Sequence, residues 1–212
     1  IINVPAILIT MFLCILLVRG TKETVMINRI LVFVKLAVIV IFFVLAVPNV
    51  DPTNWDPFLP FGYQGIASGA AIVFFAYIGF DAVATSAEEA KNPSRDLPIG
   101  ILGSLGVCAV LYFFVALVLT GVVPYTDLNN AEPVAYALRV IGYPIGSAIV
   151  AVGAICGITT VLLVLLYGQA RVFFALSRDG MIPKGICRVH KKYHTPYLVT
   201  IGGCILVSLI AG

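Results

Sequence analysis

Six apolar stretches, each ended by proline, glycine or charge, constrain this chain more than any other feature. They cover about residues 4–18, 25–47, 65–86, 98–123, 144–176 and 196–212. A bilayer core about 30 Å thick requires roughly 20 apolar residues of helix. Lipid offers no water to backbone polar groups, so each stretch is expected to close its own hydrogen bonds as a helix. The expected fold class is therefore an all-α polytopic membrane protein, a single transmembrane domain. Composition agrees: 61% of the 212 residues are hydrophobic and 11% are charged, against about 25% charged in a soluble domain. A chain of this size cannot hide so much apolar surface in a core. Cytosolic enzymes, nucleic-acid binders and disordered segments are poor readings, and the bilayer is the expected surrounding partner. The opening Ile1-Ile2-Asn3 lacks the basic region of a signal peptide, and the last apolar stretch stops short. Both ends are expected to be internal to a longer chain.

Charge orients these spans. Arg19, Lys22 and Arg29 lie between the first two, Lys91 and Arg95 between the third and fourth. Arg171, Arg178, Lys184, Arg188, Lys191 and Lys192 surround the fifth-to-sixth connection. The alternate loops hold Arg139 with Asp51, Asp56, Asp127 and Glu132. The positive-inside rule places the basic set in the cytoplasm, with Trp55 and Tyr63 suited to the outer interface. The stretch 144–176 exceeds what a bilayer needs, so its basic end should protrude. Asp96 is expected to cap the fourth helix.

Lys35 is the basic residue left over, about ten residues into the second span. A charge at that depth costs a few kcal/mol. It either snorkels to the interface or faces a polar interior, where desolvation lets it exchange a proton. Asp81 follows Phe74-Phe75-Ala76-Tyr77-Ile78-Gly79-Phe80 in a span rich in small residues. Two readings stand side by side: a tightly packed small-residue helix interface, or a span that unwinds at Gly79 and offers its carbonyls to a ligand. Thr159 and Thr160 either bond back to their own helix or supply oxygens to a cation or a lysine ammonium. Glu88 and Glu89 read as a gate or a solvated cap.

The five cysteines lack paired spacing and read as small reduced hydrophobes. Cys187, His190 and His194 have ligand-like spacing but no fourth ligand nearby, so no metal and no cofactor is expected. A channel would want a continuous polar stripe, whereas these spans carry isolated polar sites. An intramembrane metalloenzyme would rest on the Cys187/His190/His194 cluster alone.

Two motifs carry a family likeness. Phe74-Phe-Ala-Tyr-Ile-Gly-Phe-Asp81 with Glu88-Glu-Ala-Lys-Asn-Pro-Ser-Arg-Asp-Leu-Pro98 resembles the sixth helix and following loop of amino acid permeases. Gly168-Gln-Ala-Arg-Val-Phe-Phe-Ala-Leu-Ser-Arg-Asp-Gly-Met-Ile-Pro183 and Thr195-Pro196 are similar to the end of the eighth helix and start of the ninth. The family is the amino acid–polyamine–organocation superfamily, and the nearest branch is the bacterial relatives of cationic amino acid transporters. The resemblance covers the whole chain and implies helices four to nine of an inverted-repeat (5+5) transporter fold. It implies a secondary amino acid transporter, not an enzyme, proton-coupled or exchanging, in the plasma or inner membrane. It further implies that Phe75, Ala76, Tyr77, Ile78 and Gly79 form the substrate site, the α-amino group meeting carbonyls at about Phe75 and Ile78 and the Phe75 ring acting as a gate. Lys35 would occupy a vacant sodium position near Thr159 and Thr160, and Asp81 would take part in coupling. Helices one to three and the last helices are expected to lie outside this sequence, and with them half the substrate site.

Overall fold

A computed structural model describes residues 3–19, 21–79, 83–84, 92–183 and 196–211. Among these every regular element is helical. The α-helices with described bounds follow in chain order: α1 Val4–Arg19, α2 Thr21–Ala46, α3 Gly62–Val73, α4 Pro93–Val122, α5 Pro133–Val140, α6 Pro144–Arg178 and α7 Tyr197–Ala211. Among the described residues three helical stretches are long and apolar enough to cross a membrane: Thr24–Asn49, Pro93–Val122 and Pro144–Arg178. Only 11%, 6% and 28% of their most apolar windows are buried within the chain. Large side chains such as Phe33, Val44, Ile72 and Ile158 stand more than half exposed. No aqueous surface accommodates apolar faces of that extent, so hydrocarbon and neighbouring helices must cover them.

The chain divides into two compact units. The first comprises Ile1–Phe33, Ala82–Glu89 and Gly157–Gly212. Its core joins Leu13, Cys14, Leu16 and Leu17 of α1 to Leu163 and Leu166 of α6 and Cys204 of α7. Two internal hydroxyls return to the backbone, Thr10 to the Ala6 carbonyl and Thr24 to the Leu16 carbonyl, so neither is an orphan in an apolar setting. The described cysteines are free thiols, as small buried hydrophobes would be.

The second unit comprises Val34–Asp81 and Ala90–Cys156. Val38, Phe42 and Ala46 of α2 pack with Val118 and Val122 of α4, Ala137 and Leu138 of α5 and Val150 of α6. Close approach of α2 and α6 depends on glycine. A Cβ at Gly153 would lie 2.6–2.9 Å from Val38, and one at Gly146 would lie 2.6 Å from Leu45. The seven-residue spacing on both helices repeats one contact two turns on, the small-residue packing that membrane helices use. A loop clasp closes the far end of α4. The Asp51 backbone N–H and the Asn54 amide both donate to the Gly121 carbonyl, at 2.9 and 2.8 Å. The Trp55 indole N–H donates to the Thr120 hydroxyl at 3.2 Å. Trp55 is thereby satisfied at its polar end, the usual arrangement for an aromatic at a membrane boundary.

Three boundaries differ from expectation. α4 starts at Pro93 with Asn92 as its cap, and Asp96 lies inside the first turns, its carboxylate accepting the Asn92 N–H at 3.2 Å. Proline is pre-set for the first helical position and lacks the N–H that would go unpaired there, so the helix begins before the aspartate. The short helix α5, tied by an ion pair between Arg139 and Glu132, was not expected. Eight residues in a loop leave little periodic signal. In the described part of the third apolar stretch, expected over 65–86, the α-helix Gly62–Val73 gives way to a 3₁₀ turn and residues 83–84 are helical again.

Candidate functional site

The helical ladder of α3 stops in an apolar context. Phe74–Tyr77 forms a 3₁₀ turn in which the Ile78 N–H bonds to the Phe75 carbonyl at 3.3 Å. Ile78 is extended, at φ −58° and ψ 135°, and Gly79 has φ +125°. Among the described residues a Cβ at Gly79 would meet nothing within 4 Å, so contacts with them do not select glycine there. The backbone dihedral does, because L side chains avoid that region. Breaking the ladder changes which carbonyls remain bonded to the helix, and in lipid any freed carbonyl must find a donor.

One donor comes from α4. The Tyr112 hydroxyl donates to the Ala76 carbonyl at 3.2 Å, and the Tyr77 and Tyr112 rings meet edge to face at 5.3 Å. The Phe74 and Phe75 rings contact each other at 6.4 Å, and Phe75 is 70% exposed. Phe75, Ala76, Tyr77, Ile78 and Gly79 therefore form one irregular segment, held from one side by a tyrosine. Sequence reasoning missed Tyr112; its signal was a phenol within an otherwise apolar helix.

The other expected residues divide between the units. Lys35 is half-buried on α2 within the second unit, one turn before Val38. Thr159 and Thr160 lie on α6 within the first unit. Thr160 is buried and donates its hydroxyl to the Gly157 carbonyl at 2.7 Å, leaving its lone pairs as acceptors. Thr159 is half-buried on an adjacent face, since successive helical residues are turned about 100° apart. Asp81, Glu88, Glu89 and the Cys187/His190/His194 cluster lie outside the described residues. On the loop side, Asp51 accepts both the Thr53 N–H at 3.0 Å and the Thr53 hydroxyl at 2.7 Å. These bonds, the backbone one foremost, hold its carboxyl below the ordinary 3.8.

Comparison with known proteins follows the same line. The amino acid permease family profile matches residues 2–212. A methylthioribose transporter of Bacillus subtilis is 46% identical over 99% of this chain, and the branched-chain amino acid permease BcaP of the same organism is 47% identical over 93%. The chloroplastic cationic amino acid transporter 9 of Arabidopsis thaliana is 43% identical over 89%. The chain spans 46%, 43% and 33% of the length of these three, less than half of each. A match over nearly every residue, together with the apolar helices, makes this a membrane protein of a transporting family, not an enzyme: the chain belongs to the amino acid permease family.

Proposed function

We propose that the chain forms part of a secondary active transporter for amino acids, working by alternating access across the plasma or inner membrane. The substrate site in this reading is the irregular segment Phe75–Gly79. The observation that carries it is the break itself: a 3₁₀ turn, an extended Ile78 and a left-handed Gly79 interrupting an apolar helix. Carbonyls turned away from a helical ladder attract an ammonium or hydroxyl donor, and an exposed aromatic beside them can cover the bound molecule. Six membrane spans with the basic loops in the cytoplasm fit the apolar lengths and the charge distribution.

Coupling in this reading is to protons. A lysine well inside an apolar helix is costly unless it exchanges its proton or pairs, and Lys35 holds such a position. In this reading Lys35 stands in for a coupling cation, Thr159 and Thr160 offer hydroxyl oxygens to one, and Asp81 is linked to the same exchange.

A second substrate class has its own support, the 46% identity to a methylthioribose transporter. Backbone carbonyls accept neutral hydroxyls as well as the more strongly bonding ammonium groups, so a hydroxyl-bearing thiosugar also fits the same segment. Uptake into proteoliposomes by the transporter at the full length of its relatives separates the two. Labelled L-leucine, L-arginine and methylthioribose are compared with and without an inward proton gradient. Gradient-driven, saturable uptake of an amino acid supports the reading; uptake of methylthioribose alone moves it to the second class; uptake of none overturns it.

A further inference from the structure

Within the second unit, the chain between the loop clasp and α3 reads Pro57-Phe-Leu-Pro-Phe-Gly-Tyr63, and no charge falls between Asp56 and Asp81. The described residues leave its aromatics uncovered: Phe58 is 80% exposed, Phe61 71% and Tyr63 83%. The backbone that carries them is nevertheless tied on both sides. Asp51, Asn54 and Trp55 fasten the upstream side to Gly121 and Thr120 of α4. Downstream, the Phe61 carbonyl accepts the Gly65 N–H at 3.2 Å, and a Cβ at Gly65 would come within 2.5 Å of the Phe61 Cβ. The Phe61 ring also meets Tyr125 edge to face at 5.9 Å. Three exposed aromatics within six residues, on a loop fixed in this way, mark a contact surface for protein or membrane.

We infer that this loop lies in the headgroup layer of the bilayer and anchors α3 there, so that the break at Phe74–Gly79 is held at mid-membrane. Two observations single out lipid as the occupant. The loop continues an apolar surface, since Val44 and Val47 where α2 ends and Ile66 early in α3 are more than half exposed as well, and aromatics bridge the hydrocarbon and headgroup zones. The helix lengths then agree. Eleven residues of helix separate Tyr63 from Phe74, about 16 Å at roughly 1.5 Å each, and half of a hydrocarbon core about 30 Å thick is about 15 Å. α4 gives a similar depth independently. Tyr112, which bonds the Ala76 carbonyl, lies eight residues before Thr120, the partner of Trp55, or about 12 Å along the helix. Substrate sites formed by broken helices lie near that midplane. The anchor itself needs only the membrane setting; the site whose depth it sets rests on the transport reading above.

The experiment uses the transporter at the full length of its relatives, freed of its native cysteines, in phosphatidylcholine vesicles. A nitroxide is attached at Phe58→Cys and its collisions with oxygen, which concentrates in hydrocarbon, and with a water-soluble nickel chelate are compared. Labels at Val44→Cys and Asn130→Cys serve as hydrocarbon and loop references. The oxygen-to-nickel ratio at position 58 should be at least threefold above that at 130 and below that at 44. A ratio equal to that at 130 puts the loop in water; shielding from both reagents puts it under protein, either another helix of the transporter or a partner. Each result overturns the inference. The pair Phe58→Asp with Phe61→Asp should lower L-leucine uptake at least fivefold at equal amounts in the membrane, whereas Phe58→Leu with Phe61→Leu should preserve it. Equal uptake by both pairs would overturn the setting of depth. Absence of uptake by the unaltered transporter removes the transport reading and leaves the collision ratios to decide the anchor.

Discussion

The Tyr112 hydroxyl holds the Ala76 carbonyl at 3.2 Å, a bond between residues 36 positions apart that fixes the irregular segment from α4. A hydrogen bond of this kind contributes about 1 kcal/mol net. Tyr112→Phe keeps the ring contact with Tyr77 and removes the bond. It should raise the KM of uptake about fivefold, since 1.4 kcal/mol is tenfold, with the maximal rate per transporter changing less. Kinetics of the purified variant in proteoliposomes check this; an unaltered KM would detach Tyr112 from the site.

Gly79→Ala isolates backbone conformation from packing. Among the described residues nothing crowds the added methyl group, yet φ +125° lies where alanine is strained, a cost of about 1–3 kcal/mol. Gly69→Ala, also in open space but inside α3, is the comparator and should be neutral. Uptake should fall more than tenfold in the first variant and stay near wild type in the second, measured at equal amounts of protein in the membrane.

Gly153→Ala tests the contact between α2 and α6. The added Cβ meets a β-branched side chain close to its backbone, with Val38 atoms at 2.6, 2.7 and 2.9 Å. Valine has little rotamer freedom to yield, so overpacking should cost about 1–3 kcal/mol. Val38→Ala in the same molecule should restore most of the loss, giving a positive coupling in a double-mutant cycle of thermal midpoints.

Lys35→Met removes the ammonium of this half-buried side chain at nearly constant length. Gradient-driven uptake should be abolished while exchange of external for internal substrate persists. Equal uptake at every pH from 5 to 8, with full gradient response, would exclude a coupling role.

Asp51 gives a pH prediction outside the membrane. Its carboxyl titrates below 3.8 because two Thr53 donors favour the charged form. The turn is therefore fully supported above the ordinary value and loses that support as pH falls through the lowered one. Thr53→Val removes the hydroxyl donor and should move the titration back up toward 3.8, read from the carboxyl carbon chemical shift.

Much of this was legible in the amino-acid order. Apolar length, proline and glycine breaks and the rarity of charge determined helices, a membrane setting and the uneven distribution of basic residues. The Phe74–Asp81 motif marked the segment where α3 stops, because glycine conformation is a local property of the chain. Tertiary structure alone decided which faces meet. Along these helices nearly every position is apolar, and lipid is as apolar as leucine, so hydrophobicity does not distinguish a packed face from a lipid-facing one. The pairing of Gly153 with Val38 and the reach of Tyr112 to Ala76 depend on helices brought together across long separations. The start of α4 at Pro93 with Asn92 as its cap, rather than at Pro98 after an Asp96 cap, was settled by the proline's missing N–H, a local choice between two similar signals.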